Sequence, residues 1–302
     1  MKTLIVNFGG PRNIGEIEPF LIELLCDRDV IRSPFPKIIH NYFFTRLAKK
    51  RALKIRHDYE LIGGKSPIFE DTEALAAELN ALAFHRYLPS THPEFLKKIT
   101  QEEMTVFPMF PQFSFATTGS IARWFSKKLP KSNLKWIKSY HDHPLYIQAC
   151  VDTLKNFLQS QNLKEEECLL LFSAHGLPQT FIDTGDPYQS ECETSFRKIT
   201  KVFNTDSLLC YQSQFGRDEW IRPYTLDICK NPPKTKKNIV FFPLSFTTDH
   251  IETLFEIEYQ YLPLLRTHNL NAYRCPAIHH NLNIATIIEQ SQTHPIKDLI
   301  YS

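Results

Sequence analysis

Two stretches of the chain hold the side chains best suited to chemistry. In CLLLFSAHGLPQ, residues 168–179, an apolar run ends at Ser173 and His175 follows between Ala174 and Gly176. In TTDHIETLFEIEYQY, residues 247–261, acid is crowded: Asp249, Glu252, Glu256 and Glu258, with His250 among them. An imidazole facing a carboxylate can accept protons or hold a borderline divalent metal such as Fe2+. If His175 faces Glu252, then Glu256, one turn further along the same helix face, becomes a relay to solvent.

Plainer readings compete with this one. A lone histidine is more often structural than catalytic. Asp249 as a helix N-cap and Glu252 as its capping-box partner would account for two of the acids. Glu256 then remains unexplained, because like charges at i and i+4 repel by roughly 0.2–0.5 kcal/mol. A cationic His250 is also unfavourable beside the positive end of a helix. Position favours the functional reading of His175, since ligands of open parallel sheets dock just past the carboxyl ends of the strands.

The elements that must hold these residues can be read from eight short apolar runs. KTLIVNF, ALAFHRYL, EMTVFPMF and LKWIKSY lie in the first half; CLLLFS, SLLCYQS, NIVFFPLSF and LNAYRC follow. Runs apolar on both faces, separated by helix-length segments, indicate buried parallel strands with crossover helices. The expected fold is α/β, with two doubly wound parallel sheets of four strands each, flanked by helices. The expected boundaries are 1–143 and 144–279, with a C-terminal helix at about 280–302 packing back onto the first domain.

With 302 residues and 42% hydrophobic content, the chain can bury two moderate cores. A formal net charge of +2 gives no bulk electrostatic basis for nucleic-acid binding. Seven scattered cysteines form no Cys-x-x-Cys pair, and MKTLIVNFGG reads as a strand without a leader, so a cytoplasmic location is expected. No stretch approaches the ~18 apolar residues of a membrane span. IGGKS lacks the first glycine of a phosphate loop, and the glycines of NFGGPRNIG fall at 9, 10 and 15, so nucleotide binding is not supported.

The ordered blocks NFGGP at 7–11, DRDVI at 27–31, YELIGGKSP at 59–67, PQFSFATTGS at 111–120, SAHGLP at 173–178, GDPY at 185–188, YQSQFG at 211–216 with Trp220, and DHIETLFE at 249–256 resemble the ferrochelatase family over nearly the full length. The resemblance implies insertion of ferrous iron into a porphyrin bound in an active-site cleft between two Rossmann-like domains, each a four-stranded parallel sheet flanked by helices. It implies His175 and Glu252 as the catalytic and metal-meeting pair, Glu256 on an acidic path, and Asp249 and His250 beside it. It further implies porphyrin contacts at Ile31, Lys54, Tyr59, Arg86, Ser213 and Trp220. Three positions depart from the family pattern. Gln260 replaces a third acid, so the relay is shorter or uses Glu258; Phe110 stands where many members have tyrosine; Phe115 stands where iron–sulfur members have cysteine. No [2Fe–2S] cluster and no other tightly bound cofactor is expected, and Fe2+ is a substrate.

Metallation removes two pyrrole protons as a dication enters, which gives the crowded acid a purpose. Protoporphyrin IX is the expected ring. Coproporphyrin III, with four propionates, is the alternative that the cations Lys49, Lys50, Arg51, Lys54 and Arg56 keep open. A non-catalytic bilobal tetrapyrrole or solute binder is the alternative of another class. The apolar and then basic run over residues 31–47 and beyond fits either an ordinary amphipathic helix or a peripheral membrane contact. A monomer is expected.

Overall fold

The structure, a computed structural model, describes residues 2–216, 218–278 and 281–300. The chain divides into two compact units, residues 1–139 with 288–302, and residues 140–287. The first division falls four residues before the expected 143, because Tyr140 is buried with its ring edge-on to Tyr146, at 5.8 Å, within the second unit.

In the first unit, Lys2–Asn7 (β1), Leu82–His85 (β2), Met104–Pro108 (β3) and Leu134–Ile137 (β4) are parallel in the order β2-β1-β3-β4. Their apolar runs are continuous because both faces are covered: Leu4, Ile5, Val6, Val106, Phe107 and Trp136 have no exposed surface. This sheet is not the four-stranded parallel one expected. A two-residue strand, Thr293–His294, pairs antiparallel with β4, setting Trp136 opposite His294. It covers an edge whose backbone groups would otherwise be unpaired. The expected C-terminal helix is correspondingly short, Ile284–Gln290, and Pro295 follows the strand at once.

Helices Ile17–Leu25 (α1) and Lys37–Leu61 (α2) pack together in this unit. Along α2 the buried residues His40, Phe44, Ala48 and Ala52 recur every four positions, a narrow stripe whose small alanines let a neighbouring helix approach. Phe35, just before α2, and Ile38, Ile39, Tyr42 and Phe43 on it are exposed. α2 therefore carries apolar side chains outside its packing stripe.

The second unit holds the residues of interest. Pro144–Ser160 (α3) opens with Pro144 at its first position, and His143 Nδ1 caps it by accepting from Leu145 N at 3.2 Å. Cys168–His175 (β5), Ser207–Gln212 (β6), Asn238–Pro243 (β7) and Asn271–Arg274 (β8) are parallel in the order β6-β5-β7-β8. β5 is thus central, with both neighbours hydrogen-bonded along it. Register aligns His175 with Gln212 and Ser173 with Pro243, so the carboxyl ends of three strands open together.

Candidate active site

His175 is the last residue of β5, and its backbone N–H donates to Ser245 Oγ at 3.0 Å. The next residue must be glycine for lack of room. A Cβ on Gly176 would stand 2.9 Å from the Gln212 carbonyl and 3.0 Å from the Trp220 ring. This close approach holds the loop against β6 and brings the Trp220 ring to 6.3 Å from the imidazole. Phe246 flanks the same imidazole at 6.5 Å, and the Phe246 ring in turn lies 4.7 Å from that of His250.

The acidic segment is a π-helix, Glu252–Tyr261, instead of the α-helix that the sequence suggested. Its i→i+5 bonding widens each turn and is frequent at functional sites. Positions four apart still share a face, and one hydroxyl reaches both Glu252 and Glu256, as described below. The capping box does not form as expected. Thr253 takes that role: its Oγ accepts from His250 N at 3.0 Å and donates to Asp249 Oδ1 at 2.7 Å. Arg274 anchors the same end, donating to Asp249 Oδ1 and Glu258 Oε1, both at 2.9 Å. Glu258 is thereby committed to Arg274, and Gln260 is exposed.

Relieved of capping, the Glu252 side chain meets the histidine: His175 Nδ1 lies 2.7 Å from Glu252 Oε2. With Nδ1 engaged, Nε2 is the nitrogen left to face a substrate. The pair is not sealed in, as the two side chains are 35% and 24% exposed. His250 Nε2 stands 3.9 Å from the same oxygen, and its Nδ1 lies 3.2 Å from the Thr248 carbonyl, which places the proton on Nδ1 in the neutral ring. Among the described residues, no group of three or more His, Cys, Asp or Glu side chains is arranged to hold a metal ion.

Behind the pair, Glu256 is held by two neighbours from the end of β6. Gln212 Nε2 donates to Glu256 Oε2 at 3.1 Å and to the Glu252 carbonyl at 2.9 Å. The amide cannot turn around, because Ser173 Oγ donates to its Oε1 at 2.6 Å. Ser213 Oγ lies 2.6 Å from Glu256 Oε2 and 3.1 Å from Glu252 Oε2.

These contacts divide the charges. Burial disfavours charge on His175, but the charge and hydrogen bond of Glu252, with Glu256 beyond, outweigh it and raise the imidazole above its ordinary value. Burial likewise pushes Glu252 up, yet the charge and hydrogen bond of His175, assisted by His250, hold it well below the usual carboxylate range. Glu256 has no such partner. Burial first, then the charge of Glu252, push it up to about 7. The charge of His175 thus favours the anion at Glu252, whereas Glu256 is the more readily protonated of the two.

With this geometry established, comparison with known proteins is direct. The family model described as Ferrochelatase matches residues 3–294. A Chlamydia caviae protein named Ferrochelatase is 44% identical over 99% of this chain and 98% of its own length. The chain belongs to the ferrochelatase family. A Chlamydia pneumoniae Ferrochelatase is 39% identical over 99% of this chain and 96% of its own. The solved structure of CbiX, the terminal enzyme of siroheme biosynthesis in denitrifying bacteria, aligns with a TM-score of 0.51 over 96% of this chain and 97% of its own at 12% identity, a likeness of fold alone.

This ferrochelatase-family chain distributes the expected porphyrin contacts unevenly. Trp220 stands beside His175, its indole Nε1 buried with no hydrogen-bond partner among the described residues. Ser213 lies within hydrogen-bond distance of the two glutamates. In the first unit, Lys54 is exposed and Ile31 half-buried, while Tyr59 is only 2% exposed. Arg86 is buried too: its Nη2 donates to Asp27 Oδ2 at 2.7 Å and Nη1 lies 3.5 Å from Glu23, so its charge is already answered. Sequence reading passed over Gln212, Ser173, Ser245, Thr253 and Arg274. The available signal was the polar pair Gln212-Ser213 ending an apolar strand.

Proposed function

We propose that this chain inserts ferrous iron into protoporphyrin IX, forming protohaem and releasing two protons. The supporting observation is the 2.7 Å pair of His175 and Glu252 at the end of β5, backed by a Glu256 whose proton is exchangeable near pH 7. With Nδ1 donating to the Glu252 carboxylate, the neutral imidazole presents the lone pair of Nε2 to the ring. Nε2 accepts a pyrrole proton, and the imidazolium so formed is stabilised by Glu252. Release of that Nε2 proton to solvent restores the base, which takes the second pyrrole proton as the dication enters. The test is anaerobic incubation of the purified chain with Fe2+ and protoporphyrin IX, read as protohaem absorbance. Porphyrin binding without any metallation would favour the non-catalytic binder and defeat this reading.

Choice of ring follows from the cations of α2. Lys49 lies 3.8 Å from Glu18 and Arg56 3.1 Å from Glu60, so part of that charge is answered within the protein, which suits two propionates better than four. Competition between protoporphyrin IX and coproporphyrin III should favour the former; preference for the latter reverses the assignment. Phe115, packed 5.2 Å from Phe113 where a cluster-binding member has cysteine, supports a protein without a [2Fe–2S] cluster. Iron and acid-labile sulfide assays of anaerobically purified protein check this.

No described helix is long and apolar enough to cross a membrane. The exposed Phe35, Ile38, Ile39, Tyr42 and Phe43, followed by Arg46, Lys49 and Lys50, support peripheral contact of a cytoplasmic monomer with anionic lipid. Phe44 takes no part, since it is buried against His40 at 4.4 Å. Ile38→Ser with Phe43→Ser should weaken sedimentation with anionic vesicles without changing melting. Unchanged sedimentation would remove the membrane contact.

A further inference from the structure

Residues 218–224 form no helix and no strand beyond isolated bridges, yet they carry Trp220. On one side they are tied antiparallel to the loop that follows His175. Gln179 N donates to the Glu219 carbonyl at 2.8 Å and Ile221 N donates to the Leu177 carbonyl at 2.9 Å, which sets Trp220 opposite Pro178. In an antiparallel pair of this kind the two residues directly opposite turn their own N–H and C=O groups away from each other. That loop therefore supplies no backbone partner to Trp220, a residue only 7% exposed. Backbone polar groups buried in this way need a partner from elsewhere.

The Tyr224 hydroxyl is that partner. It accepts from Trp220 N and donates to the Trp220 carbonyl, both at 3.3 Å, using the two capacities of one oxygen. Tyr224 is itself fixed from β6. Tyr211 N donates to the Pro223 carbonyl at 2.9 Å, Tyr211 and Tyr224 form a parallel bridge, and the Arg222 guanidinium lies 4.6 Å from the Tyr224 ring centre. Trp220 is thus held between the loop after β5 and the end of β6.

The ring held there bounds the imidazole. The Nδ1 contact with Glu252 fixes one atom of His175 but leaves the ring free to turn about that atom. Two aromatic walls restrict the turning: Trp220 at 6.3 Å, inclined by 63°, and Phe246 at 6.5 Å, inclined by 88°. We propose that Tyr224 is a positioning residue for the reaction: by holding Trp220 it fixes the plane of the His175 imidazole, and with it the direction in which Nε2 meets the porphyrin.

The inference rests on the metallation reading, and two readouts separate the two. Tyr224→Phe keeps the ring that Arg222 covers and removes only the hydroxyl. The chain has three tryptophans, so fluorotryptophan labelling gives three fluorine NMR resonances, and Trp220→Phe identifies one of them. In Tyr224→Phe that resonance should shift or broaden, while those of Trp124 and Trp136, in the first unit, stay in place. An unchanged Trp220 resonance overturns the proposal whether or not the chain inserts metal. At a temperature well below both melting transitions, kcat for zinc insertion into protoporphyrin IX should fall about tenfold at unchanged porphyrin KM, because misplacing a reacting group by about 1 Å can cost on the order of 10²-fold. A changed resonance with wild-type kcat would make Tyr224 a structural tie, and a raised KM with wild-type kcat would move its effect to ring binding; either overturns the proposal. Absence of turnover in the wild type defeats the metallation reading, and the fluorine spectra still decide the hold on Trp220.

Discussion

Both units bury acids near the carboxyl ends of their strands, and they treat them in opposite ways. In the first unit Asp27 Oδ2 accepts from Arg86 at 2.7 Å, Ser120 Oγ at 2.6 Å and Tyr87 Oη at 3.1 Å, and Asp29 is held by Arg123 Nε at 2.7 Å. Each acid has its own guanidinium. In the second unit Glu252 meets only a histidine, and Glu256 meets a serine and an amide, with no lysine or arginine bonded to either among the described residues. Full compensation by a permanent cation makes a cluster rigid and inert, whereas partners that can gain or lose a proton leave it able to do chemistry. Polar burial alone therefore does not mark a site; the kind of counter-charge does.

The sharpest way to break this contrast is to remove the anion of the first cluster. Asp27→Ala leaves buried Arg86 with only the longer contact to Glu23 at 3.5 Å and takes the shared acceptor from Ser120 and Tyr87, so it should cost about 3 kcal/mol in urea unfolding. A loss below about 1 kcal/mol would show that the cluster is no lock. His175→Ala should act in the opposite sense, lowering turnover by at least about 10²-fold, the scale of a lost general base, with little change in melting. Zinc insertion followed by porphyrin fluorescence measures it, and near-normal turnover would return His175 to a structural role.

The smallest expected effect lies in pH dependence. Glu256 is raised from 4.5 to about 7 in the fold, so between those values the folded state holds more proton than the unfolded chain. Stability from this group is greatest at low pH and falls as pH rises through about 7, because the slope follows the difference in bound protons. Glu256→Gln should remove that decline, giving a variant relatively more stable above neutrality, and should slow metallation and flatten its pH profile near 7. An unaltered pH dependence of both melting and rate would mean that Glu256 is an ordinary exposed acid.

All eight long strands were legible, since a strand buried on both faces must be apolar throughout and such runs stand out in any sequence. His175 was legible for the related reason that a polar residue just past such a run sits where ligands dock. The Thr293–His294 strand was not, because a two-residue edge partner needs backbone hydrogen bonds and almost no particular side chains. The stripe of α2 could be read for its apolar content, yet only packing showed Phe44 inside and Phe43 outside.

The sequence by itself determined the chemical types: an imidazole, closely spaced carboxylates, a glycine that permits close approach, and strands to carry them. Tertiary structure decided which acid does what. Asp249, Glu252, Glu256 and Glu258 are alike in sequence, but Arg274 claims the first and last, His175 claims the second, and only Glu256 lacks a charged hydrogen-bond partner. That assignment depends on a π-helix and on partners brought from β5, β6 and β8. A proton's affinity for a carboxylate is set by distances and burial that exist only once those segments have met.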